Sequence, residues 1–269
     1  MLGLSIPEVA GRARVQRDAA TLALTARMTV APSEARVALI DGLVRALKDA
    51  GVWAKLDLLY LLAAHDAQAA RLNWVSSGFA LSAVGAPVFT TDRGYAGDGA
   101  AAYLDTGWSP RTQALAYALN SGSMGCWLNG GTDSADNAAV AMGVSMTPGA
   151  IVVPRGSAGQ MRGRLNASAT VSATGGLGTT RLGFTALSRT DGATTGFYRD
   201  GALDSVIAST ATLLPANSVF LGGADASGVL GTPVDNRFAA AFAGAGLSAG
   251  EMATLFAALS AYLAGVGAI

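Results

Sequence analysis

From Leu72 to Ala245 the chain is interrupted every few residues by Gly, Asn, Asp or Pro, and the stretches between are too short for helices. Within them the side chains change character at every second position, the period of a strand. After the turn signal Gly97-Asp98-Gly99, Ala101, Tyr103 and Asp105 alternate with Ala102, Leu104 and Thr106. Further strands are expected at Ala114–Leu119, Ala138–Val144, Ala150–Val153, Arg181–Leu187, Thr195–Tyr198, Leu203–Ala208, Ser218–Leu221 and Arg237–Phe242. Asp200-Gly201 is a hairpin dipeptide, because both central positions of a type I′ turn need positive φ. Short strands at turn-to-turn spacing, without intervening helices, predict a mainly β antiparallel sandwich or barrel rather than βαβ units.

The flanks read differently. Residues 1–28 form an N-terminal arm with Arg12, Arg14 and Arg17, read as a solvated face or a peptide peg into a larger assembly. Residues 29–71 are expected to be helical. Pro32 and Glu34 suit a first turn, Val37, Ile40, Val44 and Leu47 repeat at helical spacing, Lys48 lies in the last turn, and Gly51 is placed to end the helix. A second helix is expected from Trp53 to Gln68. Being apolar on almost every side, it needs cover beyond the first helix, and Leu58, Leu59 and Leu62 are therefore candidate oligomer contacts. The sandwich and its closing helix occupy 72–269. Ser248-Ala249-Gly250-Glu251 is a capping box opening a helix over 248–265, with Met252, Leu255, Phe256, Leu259, Tyr262 and Leu263 on one face. The opposite face carries alanines where charges are usual, making Ala257 and Ala261 further assembly candidates.

Composition excludes several partners. Eighteen basic and eighteen acidic residues cancel, so nothing draws the chain to nucleic acid or an anionic membrane. Charged residues make up 13%, against about 25% in ordinary soluble domains. Low charge lowers repulsion between copies, which favours association. Met252–Ile269 carries no charge, yet it only reaches the length threshold of a span and is diluted by Thr254, Ser260, Gly265 and Gly267, so membrane insertion is not expected. Glu8 and Arg12 interrupt any apolar leader, and the single cysteine, Cys126, rules out an internal disulfide framework.

Four runs in order resemble a known family: GYAGDGAAAYLDTGWSP (Gly94–Pro110), TGFYRDGALDSV (Thr195–Val206), SVFLGGAD (Ser218–Asp225) and FAAAFAGAGLSAGEMATLFAAL (Phe238–Leu259). They are similar to segments of concanavalin-like, laminin-G-like modules. Leu47–Trp74 resembles a segment preceding such modules in tailed-phage and gene-transfer-agent proteins. The resemblance spans about residues 29–269. It implies a two-sheet jelly roll, a place in a phage-like particle assembled in the bacterial cytoplasm, contacts with other particle proteins, and glycan attachment at the host surface. Fibre, spike and decoration roles all remain open.

The chain carries few residues in catalytic patterns. A catalytic relative of this fold uses glutamates on one strand, whereas Glu8, Glu34 and Glu251 all lie outside the β region. A glycan-processing hydrolase is thus the disfavoured alternative, and no enzyme activity is expected. His65, the only histidine, is read as an ordinary helix residue, and no G-x-S-x-G elbow occurs. Cys126 reads as a small buried filler. The run Gly244–Gly250 suggests a dinucleotide loop, but the capping box accounts for the same residues. No cofactor and no metal site is expected. The aspartates lack calcium-loop spacing, which leaves open only an ion held by backbone carbonyls. For glycan, the candidate is the loop Asn120–Asn137: Trp127 to stack on a sugar face, with Asn129, Asp133 and Asn137 to bond hydroxyls. Against this stands an ordinary Gly-rich loop with Trp127 turned into the core, which is the favoured reading.

Overall fold

The computed structural model describes residues 16–269. Arg12, Arg14 and Glu8 lie outside the described residues. Helix α1 (Ala19–Thr25) begins where the Asp18 carboxylate accepts the Ala20 N–H. Helix α2 (Glu34–Asp49) is capped by Ser33 at its start and followed by Gly51 at φ +70°, the left-handed conformation glycine adopts without strain.

The expected second helix is not formed. Trp53–Lys55 makes one 3₁₀ turn, and Leu56–Leu61 is then strand β1. Leu58, Tyr60 and Leu62 point into one hydrophobic core and Leu59 and Leu61 into another. A strand buried on both faces is apolar at every position, so its pattern mimics a helix apolar all round. Residues 29–71 thus combine one helix with a strand of the sandwich.

Four short strands follow: β2 (Ser82–Val84), β3 (Val88–Thr90), β4 (Gly94–Ala96) and β5 (Tyr103–Asp105). Next come β6 (Gly122–Gly130), β7 (Met142–Val144), β8 (Gly149–Val153), β9 (Arg162–Ala167) and β10 (Val171–Ser172). The series continues with β11 (Gly183–Arg189), β12 (Thr194–Arg199) and β13 (Ala202–Ala208). It closes with β14 (Phe220–Leu221), β15 (Ala224–Asp225), β16 (Leu230–Gly231) and β17 (Arg237–Gly244), before helix α3 (Ala249–Gly265). Ala114–Leu119, expected as a strand, makes only an isolated bridge from Ala118 to Ser121. Its backbone N–H groups at Leu115, Ala116 and Tyr117 are held by the Asp57 carboxylate instead, at 2.8–2.9 Å.

The strands form two antiparallel sheets, so the protein is a mainly β sandwich. The first runs β13-β12-β11-β6-β17-β4-β3, with β1 beside the C-terminal half of β17. The second runs β10-β9-β8-β7-β14-β5-β2, and the hairpin β15–β16 joins it through one parallel bridge from Asp225 to Val144. Asp200 and Gly201, at φ +47° and +79°, make the expected turn between β12 and β13. Between the sheets, Met124, Cys126, Leu128 and Phe238 meet Leu104, Val144, Val152 and Leu165. Outside the first sheet, Trp127, Phe184 and Phe242 are covered by Ile40, Val44 and Leu47 of α2 and by Leu255, Leu259 and Leu263 of α3. The molecule therefore has three layers, helices on sheet on sheet. The Ser248–Glu251 capping box is present at the start of α3. No helix among the described residues is long and apolar enough to cross a membrane.

Candidate functional site

The four residues expected to bind glycan do not form one surface. Strand β6 takes up half of Asn120–Asn137, including Trp127 and Asn129, while residues 131–137, with Asp133 and Asn137, remain a loop. Trp127 is buried on the helix side of the first sheet, its ring parallel to that of Phe256 with centroids 5.2 Å apart. Covered by α3, it has no face left for a sugar. Asn129 donates its amide to the carbonyls of Arg93 (2.9 Å) and Ala268 (3.1 Å), tying the C-terminal residues to the sheet. Asp133 accepts from the Arg181 backbone N–H (2.6 Å) and the Thr180 hydroxyl (2.7 Å). Burial alone would raise the Asp133 carboxyl, but those bonds outweigh it and hold it below the usual range. Asn137 and Ser157 bond each other at 2.9–3.1 Å. All three polar side chains fasten chain segments together.

Leu58, Leu59 and Leu62 lie inside the fold with essentially no exposure, so they cannot be contacts with another chain. Ala257 and Ala261 are exposed on α3, as expected. His65 sits in a turn rather than a helix, its Nε2 2.9 Å from the Val30 carbonyl and 3.1 Å from Asp66. Cys126 is buried, and burial pushes its thiol up to about 12, which keeps it protonated and inert. Glu34 is exposed at the start of α2, while Glu251 completes the capping box and pairs with Lys55 at 2.6 Å. Among the described residues no three His, Cys, Asp or Glu side chains gather as a metal site would require.

Helices cover the outer face of the first sheet but not that of the second, where Val140, Ile151, Val153 and Ala224 form a small buried cluster and Tyr103 stays half-exposed. Alternation decides what lies there. Leu104 and Leu221 enter the core between the sheets, so Tyr103, Asp105 and Phe220 face outward. Phe220 stands opposite Asp105, and Asp105 opposite Ser82, across three neighbouring strands. Tyr103 lies diagonally across from Phe220, and the two rings pack at 4.4 Å with a 35° tilt. Phe220 is buried beneath this contact, and Tyr103 stays half-exposed.

Two carboxylates flank the tyrosine. Asp105 accepts from the Gly107 N–H (2.8 Å) and the Ser218 hydroxyl (2.7 Å). Asp225 accepts from the Asn217 amide (3.0 Å) and the Gly228 N–H (2.6 Å) through the same oxygen. Burial, and then the negative charges of Asp105 and Asp225, push the Tyr103 hydroxyl up, so the phenol remains a hydrogen-bond donor at neutral pH. The group thus offers one supported aromatic face, one donor and one half-exposed acceptor, Asp105, with Asp225 buried beneath. Such a set can stack on the apolar face of a pyranose and bond its hydroxyls. The alternation at residues 101–106 marks the strand that carries Tyr103, but Asn217, Ser218 and Asp225 join it only through strand order.

These features define a two-sheet antiparallel sandwich whose second sheet carries no helix and presents a half-exposed tyrosine. No protein-family model matches the chain, and a search of curated proteins finds no match. Solved structures of similar shape do exist. The binding domain of botulinum neurotoxin serotype D is 10% identical, with a TM-score of 0.50 over 77% of this chain and 52% of that one. Domain 4 of AbnA, an arabinanase from Geobacillus stearothermophilus, in complex with arabinotriose, is 14% identical, with a TM-score of 0.46 over 75% of this chain and 98% of that one. The sialidase CBM40 of Ruminococcus gnavus bound to α2,3-sialyllactose is 16% identical, with a TM-score of 0.39 over 51% and 82%. At these identities the likeness is one of fold alone.

Proposed function

We propose that this chain is a non-catalytic, glycan-binding module that serves as an adhesive structural component of a phage-like particle. The observation that carries the glycan-binding reading is the half-exposed Tyr103 ring, packed on Phe220 and flanked by Asp105 and Asp225 on the outer face of the second sheet. A half-exposed aromatic beside a fixed acceptor is an arrangement that sugar recognition uses. The particle reading rests on the resemblance of residues 29–269 to such modules. It also rests on the low surface charge and on the alanine face of α3, which suits a homo-oligomer and contacts with other particle proteins. Fibre, spike and decoration roles fit it equally, in a particle assembled in the bacterial cytoplasm.

A glycan array probed with the full chain tests the binding reading. Wild-type protein is expected to retain a defined subset of glycans. Tyr103→Ala should lose at least about tenfold in affinity, roughly the 1.4 kcal/mol of a stacking contact, with unchanged circular dichroism. No release of reducing ends from a bound glycan is expected. An array on which wild type and Tyr103→Ala behave alike, or steady hydrolysis abolished by Asp105→Asn, would overturn this reading. Electron microscopy of gold-labelled particles tests the particle role, and a chain found only free of particles would refute it.

A further inference from the structure

The strands that carry the Tyr103 platform bring only negative charge to it. On β5, Tyr103 and Asp105 are two residues apart and share the outer face at a spacing of about 7 Å. Strand β2 sets Val84 opposite Tyr103 and Ser82 opposite Asp105, and Gly143 of β7 stands opposite Phe220. None of these neighbours is charged, and the β15–β16 hairpin adds Asp225 as its one charged residue. Two arginines reach the bordering segments, and both are committed to carbonyl groups. Arg111 puts its Nε on the Leu214 carbonyl, and Arg164 gives its guanidinium to the carbonyls of Ser145, Met146 and Ser168. Among the described residues neither Asp105 nor Asp225 makes an ion pair. The field of both carboxylates falls on the Tyr103 hydroxyl with no cation to offset it.

Asp105 also keeps an oxygen in reserve. Its Oδ1 takes both the Gly107 N–H and the Ser218 hydroxyl. Among the described residues its Oδ2 has no partner, and it is not enclosed, since the side chain is half-exposed. A carboxylate has about four acceptor sites, so those on Oδ2 are left for a ligand. Asp225 lies buried, where its charge is screened less than a surface charge would be.

We propose that the platform selects its glycan by charge, taking uncharged and amino-bearing pyranoses and turning away sialylated, uronic and sulfated ones. This rests on the glycan-binding reading of the same site and names its class of sugar. An uncharged pyranose lays one face on Tyr103 and donates a hydroxyl proton to Asp105 Oδ2. An ammonium makes the same contact with a charge added. A carboxylate or sulfate in that place has no proton to give, finds no cation, and meets two negative charges.

A glycan array read in matched pairs tests this, each oligosaccharide core being printed with and without a terminal sialic acid, uronic acid or sulfate. For every core that the full-length wild type retains, the acidic partner is expected to bind at least about fivefold more weakly, equivalent to ~1 kcal/mol. Asp105→Asn keeps an acceptor for Gly107 and Ser218 and removes one charge, so it should shrink that ratio at least about twofold. Raising the salt on wild type should shrink it too, and serves as the readout should Asp105→Asn not fold. Acidic partners retained as well as their cores, with binding lost in Tyr103→Ala, would overturn the charge selection while leaving the platform a glycan site. A ratio that neither Asp105→Asn nor salt moves would also overturn it. An array on which wild type retains no glycan removes the glycan-binding reading and this inference with it.

Discussion

Leu59 has no exposed surface and lies in the layer between the first sheet and the helices, while its neighbours Leu58 and Tyr60 face the core between the sheets. A charge placed there meets no partner on either side. Leu59→Asp is therefore expected to unfold the monomer, costing at least about 4 kcal/mol from the lost apolar contacts and the unpaired charge. Leu59→Met, which keeps the volume, should cost less than about 1.5 kcal/mol. Urea unfolding followed by tryptophan fluorescence separates the two. A folded Leu59→Asp protein with an unchanged midpoint would contradict the placement of β1. Asp18 makes a different claim at the same scale. The hydrogen bond from Lys48, followed by the Ala20 N–H, holds its carboxyl below the usual range. A depressed carboxyl contributes stability above its unfolded pKa, near 3.9, and loses it as pH falls through the lower folded value. Asp18→Asn keeps a capping side chain and removes the titration. Its melting temperature should consequently fall less steeply than that of wild type between about pH 4 and pH 2. Parallel acid limbs for the two proteins would show that the Lys48 contact does not survive in solution.

Among the elements, β6 and β1 explain what the sequence conceals. Strand β6 is Gly-Ser-Met-Gly-Cys-Trp-Leu-Asn-Gly, poor in the branched residues that mark strands, yet it sits between β11 and β17 in the middle of the first sheet. Its glycines answer to packing. A Cβ on Gly125 would lie 2.5 Å from the Phe242 ring and 2.6 Å from the Ala186 methyl. The strand is thin there because its neighbours are thick, a fact visible only once β6, β11 and β17 are adjacent. Gly125→Ala should accordingly destabilise by about 1–3 kcal/mol through overpacking, read as a lower melting temperature. An unchanged or raised value would mean that Phe242 can move aside without cost. Strand β1 fails the opposite way, since burial on both faces removes the alternation that separates strand from helix. Elements with one wet face or a chemical terminus, such as α2, α3 and the β12–β13 hairpin, were legible because caps and turns act locally. The Tyr103 group was not, because its members come from β5, the segment before β14, and β15, which approach one another only in the finished sheet.

At the scale of the whole molecule, the three layers leave different surfaces. The second sheet presents the Tyr103 platform, and the helical layer presents a groove between α2 and α3 of about 160 Å³. Gly42 and Ala46 of α2 and Ala258, Ala261 and Tyr262 of α3 line it. Small residues on both helices let another backbone approach closely, and no charged side chain lines the groove to oppose it. This makes Ala261 the side chain that discriminates between a surface that is merely small and one that carries a neighbour. If the chain is a homo-oligomer joined through this layer, Ala261→Arg should dissociate it, because the guanidinium would be buried unpaired at the contact. The same change should leave the monomer folded, since Ala261 is exposed and lies in the interior of α3, where arginine is well tolerated. Multi-angle light scattering gives the mass and far-ultraviolet circular dichroism the fold. The expected result is a wild-type oligomer and an Ala261→Arg monomer with the same spectrum. A wild type that is monomeric at high concentration, or an Ala261→Arg variant of undiminished mass, would remove the helical layer as the assembly surface while leaving the sheet-face platform untouched.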